Sequence, residues 1–119
     1  MHTACSEGYL DMVKFLLENS IKINKKGIND YTPLHTAVQK EHYDIVMLLI
    51  KHGAEVNCKD DNGNTPLITA VVNYSDDDKI IKLLLERGGD TSIKNNNGIS
   101  LFKILKIPRN EGIRHLFKE

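Results

Sequence analysis

Thr32-Pro33-Leu34-His35-Thr36-Ala37 is the stretch whose reading decides the fold. It returns 33 residues later as Thr65-Pro66-Leu67-Ile68-Thr69-Ala70, and His2-Thr3-Ala4 precedes it by the same interval. Working outward, Asp11-Met12-Val13 maps onto Asp44-Ile45-Val46 and Asn24 onto Asn57 at that spacing. From Val46 the interval becomes 35, pairing Val46 with Ile81, Gly53 with Gly88 and Lys59 with Lys94, so two extra residues fall near Tyr74 to Asp77. A fourth, degraded copy opens near Asn97-Gly98-Ile99-Ser100-Leu101-Phe102. The copies are approximately 1–26 (partial), 27–59, 60–94 and 95–119 (capping), in a single repeat domain over 1–119. Self-similarity at a fixed period of this length marks a stacked array, in which each unit buries its apolar side against its neighbours.

Within a copy the local signals read helix, turn, helix, hairpin. Pro33 suits the first turn of a helix, where its missing N–H has no partner to lose. Thr32 before it is a good N-cap. The first helix ends near Lys40, and the second begins near Asp44, whose charge suits a helix N-terminus. Ile45, Val46, Leu48, Leu49 and Ile50 leave that second helix little polar face, which predicts burial. Gly53 follows as a C-cap able to take positive φ. Asp61-Asn62-Gly63-Asn64 then signals a tight turn.

Composition narrows the function. Sixteen Lys and Arg balance sixteen Asp and Glu in 119 residues, which argues against a general nucleic-acid binder or a polybasic membrane binder. With 40% hydrophobic residues the chain has enough apolar content for a core. The longest apolar run, Ile45 to Ile50, is six residues, far short of the roughly 18 needed to span a bilayer. The start, Met1-His2-Thr3-Ala4-Cys5-Ser6-Glu7, lacks the basic and apolar regions of a secretory leader. Cys5 and Cys58 are the only cysteines and form no paired metal-ligand spacing, so a reduced, cytoplasmic protein is expected.

A 33-residue unit carrying Thr-Pro-Leu-His-x-Ala and two helices resembles the ankyrin repeat. The copy from Gly27 to Lys59 is the closest match, with Thr32 to Ala37, then Val46-Met47-Leu48-Leu49, then Gly53-Ala54-Glu55-Val56-Asn57. The resemblance implies an all-α repeat solenoid of helix-turn-helix units with β-hairpin loops: about three full copies, a truncated first and a degenerate last. Several departures stand out. Asp30 replaces the turn glycine found at Gly63 and Gly98, placing a non-glycine in a left-handed position. Ser20 replaces the C-cap glycine, and Leu101 stands where proline is expected. Ile113, Leu116 and Phe117 predict a short final helix acting as a C-terminal cap. An N-terminal cap is missing, which predicts exposed apolar surface around Met12, Phe15 and Leu16 and self-association there, or a chain that was once longer.

What the resemblance implies about function is non-enzymatic: a protein–protein interaction module that takes its partner on the concave face and hairpin tips. No phosphate-binding glycine loop or nucleophile elbow is present. Neither a cofactor, a metal nor a catalytic residue is expected. The partner-binding positions that follow are Ile28, Asn29 and Tyr31, then Asp61, Asn62 and Asn64, then Asn96, Asn97 and Ile99 in the turns. In the first helices they are Thr36, Gln39 and Lys40, then Thr69, Val72 and Asn73. Ile28, Tyr31, Val72 and Ile99 are apolar or aromatic at sites expected to be wet, and Tyr31 is the natural anchor.

A second implication is a viral or intracellular-bacterial host-interaction adaptor that delivers a host protein to a ubiquitin ligase. No F-box-like segment follows Ser100, which weakens that reading. Asn57 is a candidate for asparaginyl hydroxylation, with a loop-stabilising asparagine as the simpler role for it and Asn24.

Other residues read as structural. His2 and His35 are expected to bond backbone in a neighbouring loop, with His42 and His52 at the surface. Cys5 is expected in the core and Cys58 near a loop, neither as a nucleophile. Asp60-Asp61-Asn62-Gly63-Asn64 fails as a calcium loop, because its glycine and its twelfth residue are wrong. The insertion Tyr74-Ser75-Asp76-Asp77-Asp78 reads as a longer loop whose side chains cap the next helix, with an acidic protrusion for a basic partner as the alternative. Lys103, Lys106, Arg109, Arg114 and Lys118 read as a solvated capping face.

Overall fold

The computed structural model describes residues 1–19, 21–74 and 77–117. Ser20, Ser75, Asp76 and Lys118 lie outside the described residues, and with them the expectations placed on those four. The described chain forms seven α-helices and two 3-10 segments in the repeating order foreseen: α1 (His2–Glu7), α2 (Leu10–Glu18), the 3-10 turn Ile28–Asp30, α3 (Pro33–Gln39), α4 (Tyr43–Lys51), α5 (Pro66–Val72), α6 (Lys79–Glu86), α7 (Leu101–Leu105) and the 3-10 segment Pro108–Leu116. The first helices α1, α3, α5 and α7 touch in sequence, and so do the second helices α2, α4 and α6. Two parallel rows of helices result, one copy shelved on the next, in a body measuring 42 × 27 × 22 Å.

Of the five apolar residues expected to bury α4, Ile45, Val46 and Leu49 are buried and Leu48 and Ile50 half-buried. Leu34, Ala37, Val38, Leu67 and Val71 of the first helices are buried with Val13, Val46, Leu49, Ile81 and Leu84 of the second. Because these side chains come from every copy, the core runs the length of the stack rather than centring in one unit.

Thr32 caps α3 by accepting from His35 N at 3.3 Å, while His35 Nδ1 accepts from Thr32 N at 3.3 Å, a reciprocal capping box. Thr65 and Ser100 accept the same first-turn bond in α5 and α7, so α7 keeps its N-cap although Leu101 stands where proline is expected. In the inserted loop, Asp77 Oδ1 accepts from Lys79 N at 3.0 Å, satisfying one free donor of α6 as the capping expectation required.

The hairpins need a correction. Among the described residues there is no strand; each copy instead closes a tight turn with one bond, Gly27 N to Tyr31 O, Asp60 N to Asn64 O or Asn95 N to Ile99 O. Five residues joined by a single bond are too few to build a ladder. The final helix is also corrected: Ile113 and Phe117 are buried as expected, but the backbone is 3-10, tied to α7 by Asn110 Nδ2 to Ile104 O and Arg114 to Leu105 O and Lys106 O. Arg114 therefore serves the C-terminal carbonyls of α7 rather than a solvated basic face.

Candidate functional site

The turns come into register because each is locked to its neighbour. His35 Nε2 donates to Asn64 O at 2.9 Å, and His2 Nε2 makes the equivalent bond to Tyr31 O at 2.9 Å. Each histidine of the repeated element thus reaches into the next copy's turn, as the sequence reading expected. Asp61 N donates to Asn29 O, and Asn96 N to Asn62 O, so the three tips line up along one edge. Gly63 is needed here twice over: its φ is +78°, and a Cβ would stand 2.7 Å from Asn96 N. Asn24 Oδ1 accepts from Glu55 N, and Asn57 Oδ1 from Asp90 N, which gives the loop-binding role assigned to both asparagines.

The second copy's turn is built differently from the third's. Asp60 Oδ1 accepts from Asn62 N and Asn64 N, and Asn95 Oδ1 from Asn97 N and Ile99 N. Gly27 occupies that position in copy two and offers no side chain; a Cβ there would meet the His2 ring at 3.1 Å. Without the carboxylate bracket, and with Asp30 in place of glycine, the turn winds as 3-10 with Asn29 at φ 59° and Asp30 at φ 57°. Asp30 behaves as foreseen; Asn29 in the left-handed region was not foreseen.

The concave positions divide into three groups. Ile28, Asn29, Tyr31, Thr36 and Gln39 line one concavity between copies one and two, together with His2 and Gly27. Ile28 is 87% exposed, so folding gives no reason for its side chain. Tyr31 is half-buried and stacks on His35 with ring centroids 5.2 Å apart. Burial first, then Asp60 and Asp61, push its hydroxyl upward from its usual range, so it stays a phenol able to donate. Thr36 turns its hydroxyl back to Thr32 O, leaving its methyl for the groove. Lys40 is exposed next to Gln39.

The second group is the tips. Asp61, Asn62, Asn96 and Asn97 are exposed, with Asn96 Nδ2 held on Asp61 O. Asn64 is half-buried, and its Oδ1 accepts from Asn95 Nδ2.

The third group departs from the expectation. Thr69 is buried, because α5 lies between α3 and α7. Ile99 is half-buried and packs on the core rather than standing in water. Val72 is exposed as expected. Asn73 donates to Gln39 O and lines a separate concavity, at the interhelical end, with Glu41, Tyr43, Asp77 and Lys79.

Two further features, at His42 and Glu41, differ from what the sequence predicts. His42 is half-buried rather than at the surface, its Nε2 bonding Ser6 O at 3.0 Å. Glu41 takes φ 59°, although its register partner in copy one is Gly8, at φ 76°. The 33-residue alignment of Glu41 with Gly8 was the signal for it.

Chemistry is muted where it might have been looked for. Cys58 Sγ lies 3.8 Å from His35 Nδ1 and donates to Glu55 O at 3.1 Å. Burial pushes the thiol up and the imidazole down, so both stay neutral and no thiolate–imidazolium pair forms. Burial also pushes Cys5, within α1, up to about 11. Among the described residues no group of three or more His, Cys, Asp or Glu converges on a metal-sized space, and no helix is long and apolar enough to cross a membrane.

Helix pairs in two rows, joined by turns aligned on one edge, define a class: helical repeat solenoids that present a concave face. A family model described as ankyrin repeats, in three copies, matches residues 1–95. The chain belongs to the ankyrin-repeat family, a non-enzymatic interaction fold whose members bind protein partners. No curated protein matches it.

Proposed function

We propose that this chain binds a partner protein through its concave face, with the groove between copies one and two as the anchor site. The observation that carries this reading is the convergence of Ile28, Asn29, Tyr31, Thr36 and Gln39 on one concavity. An 87% exposed isoleucine beside a stacked tyrosine offers apolar area at low ordering cost, and uncharged walls favour an apolar side chain of the partner. Asp61, Asn62, Asn96 and Asn97 on the tips and Val72 on the inner helix extend the surface. We place the protein in the cytoplasm, where Cys5 and Cys58 stay reduced.

Capture from cytosol with the wild-type chain, followed by titration of the captured partner, tests the reading. Ile28→Ala is expected to weaken binding by about 1–2 kcal/mol and leave the unfolding midpoint unchanged. Tyr31→Ala is expected to cost on the order of 2 kcal/mol in binding and, through the lost stack on His35, about 1 kcal/mol in stability. Wild-type affinity in both variants would retire the concave face as the site. Ligase subunits among the captured proteins would mark the adaptor role.

A second surface is favoured by its own observation. Met12 and Phe15 of α2 and Tyr9 just before it are exposed, and we propose that the chain self-associates there. For Asn57, hydroxylation requires prior opening of its loop, because Nδ2 donates to Gly88 O while Oδ1 accepts from Asp90 N.

A further inference from the structure

Asparagine is followed by glycine twice in the chain, at Asn62-Gly63 and Asn97-Gly98, each time on the tip of a turn. Such a pair modifies itself without a catalyst when its backbone is free to move. The glycine backbone nitrogen attacks the asparagine Cγ, forming a C–N bond. The side-chain amide nitrogen leaves as ammonia, taking up the proton that the glycine nitrogen gives up. Water then opens the cyclic imide at either carbonyl and leaves aspartate or isoaspartate. Glycine has no Cβ to hinder the approach.

In both folded turns the attacking nitrogen is engaged elsewhere. Gly63 N donates to Asp60 O at 3.0 Å and Gly98 N to Asn95 O at 2.9 Å. The turn must open before the ring can close, so the rate follows the population of the open turn.

The two turns are not equally fastened. In copy three Asp60 Oδ1 accepts from Asn62 N and Asn64 N; in copy four Asn95 Oδ1 accepts from Asn97 N and Ile99 N. A carboxylate holds such donors more strongly than an amide oxygen does. His35 Nε2 adds a bond to Asn64 O, as His2 Nε2 does to Tyr31 O. The residue in register with these histidines in copy three is Ile68, whose side chain has no N–H to give. Ile99 O therefore keeps only the bond from Asn95 N among the described residues. The glycines differ as well. Gly63 is buried against Asn96, while Gly98 is exposed, and a Cβ on it would meet nothing within 4 Å.

We propose that Asn97 is a site of self-modification, converting to aspartate and isoaspartate, and that Asn62, with the same glycine after it, is kept intact by its turn. The product sets a carboxylate on the row of tips. The isoaspartyl form also inserts a backbone carbon between Asn97 N and Ile99 N, the two donors that Asn95 brackets. The proposal stands apart from the partner-binding reading and does not depend on it.

Incubation of the folded 119-residue chain in warm, mildly alkaline buffer, followed by tryptic mapping, tests it. Peptides 60–79 and 95–103 separate the two sites, and fragmentation assigns the converted residue and its isomer. Conversion at Asn97 is expected to be at least about tenfold faster than at Asn62, and in urea the two rates should converge. Ile68→His, which returns the missing donor, should slow Asn97 about fivefold in a chain whose circular dichroism is unchanged.

Equal rates in the folded chain, faster conversion at Asn62, or an Asn97 that stays intact while the chain in urea converts would each overturn the proposal. A preference for Asn97 that survives in urea would overturn it too, since the cause would then lie in the flanking residues and not in the fold. A folded Ile68→His chain that converts at the wild-type rate overturns the part given to the absent histidine. If Ile68→His does not fold, the comparison of folded and urea-treated wild type decides alone.

Discussion

His35 joins the cap of its own helix to the turns of two copies. Its ring accepts from Thr32 N, donates to Asn64 O in the next copy and stacks beneath Tyr31. Because Nδ1 is an acceptor, the ring is the neutral Nε2–H tautomer, and a second proton would displace the capping bond. Burial lowers its pKa below the ordinary 6.5, against smaller opposing effects of Asn64 and Asp60. The sign follows: between the folded value and 6.5 the unfolded chain holds a proton that the folded chain does not. Stability from this residue is therefore complete above 6.5 and is lost as pH falls from there toward the folded value. Urea midpoints measured across that range should fall with acidification, and His35→Gln should flatten the fall. An equal slope in the variant would assign the effect elsewhere.

Glu41 gives the opposite kind of residue, one whose backbone is strained for no bond its side chain makes among the described residues. At φ 59° a β-carbon is disfavoured, so Glu41→Gly should raise stability by about 1 kcal/mol in chemical denaturation. Asp30 in its left-handed turn was legible, because glycine fills the position in the other copies. Glu41 was equally legible from Gly8, which takes positive φ at the same place in the interhelical turn 33 residues earlier.

The elements were legible where periodicity and capping agree. Thr32-Pro33 and Thr65-Pro66 start helices that the structure starts at Pro33 and Pro66. The capping box of α3 has two halves, the Thr32 hydroxyl accepting from His35 N and the His35 ring accepting from Thr32 N, whereas α7 has only the Ser100 hydroxyl. Thr32→Ala removes the hydroxyl half alone, so it and Ser100→Ala should each cost about 1 kcal/mol, read from thermal or urea unfolding. No loss of stability in either variant would mean that its hydroxyl cap contributes nothing. The turns were legible as turns but not as to type. Strand pairing needs consecutive backbone bonds, and among the described residues the tips exchange one backbone bond per neighbour instead. The burial of Thr69 and Ile99 was hidden for a related reason: both depend on how closely a degraded fourth copy packs, which local sequence does not specify.

At the scale of the whole molecule, copies that touch only their neighbours make stability a sum of units and interfaces. α7 is five residues long and its partner is 3-10, so the fourth copy adds the smallest interface. Amide exchange should release residues after Ile99 first and hold α4 and α5 longest. Uniform protection along the chain would mean an all-or-none body instead. The groove lined by His2 of copy one and Tyr31 of copy two depends on the His2–Tyr31 O bond and so on the coupling of adjacent copies.

That coupling is open to direct observation by nuclear magnetic resonance, as through-space contacts between the His35 ring and the backbone of Asn64, 29 residues on. The shelved arrangement predicts strong cross-peaks there, with a slowly exchanging ring N–H on Nε2. A His35 ring that shows contacts only within its own copy, and exchanges its proton as freely as a surface histidine, would contradict it.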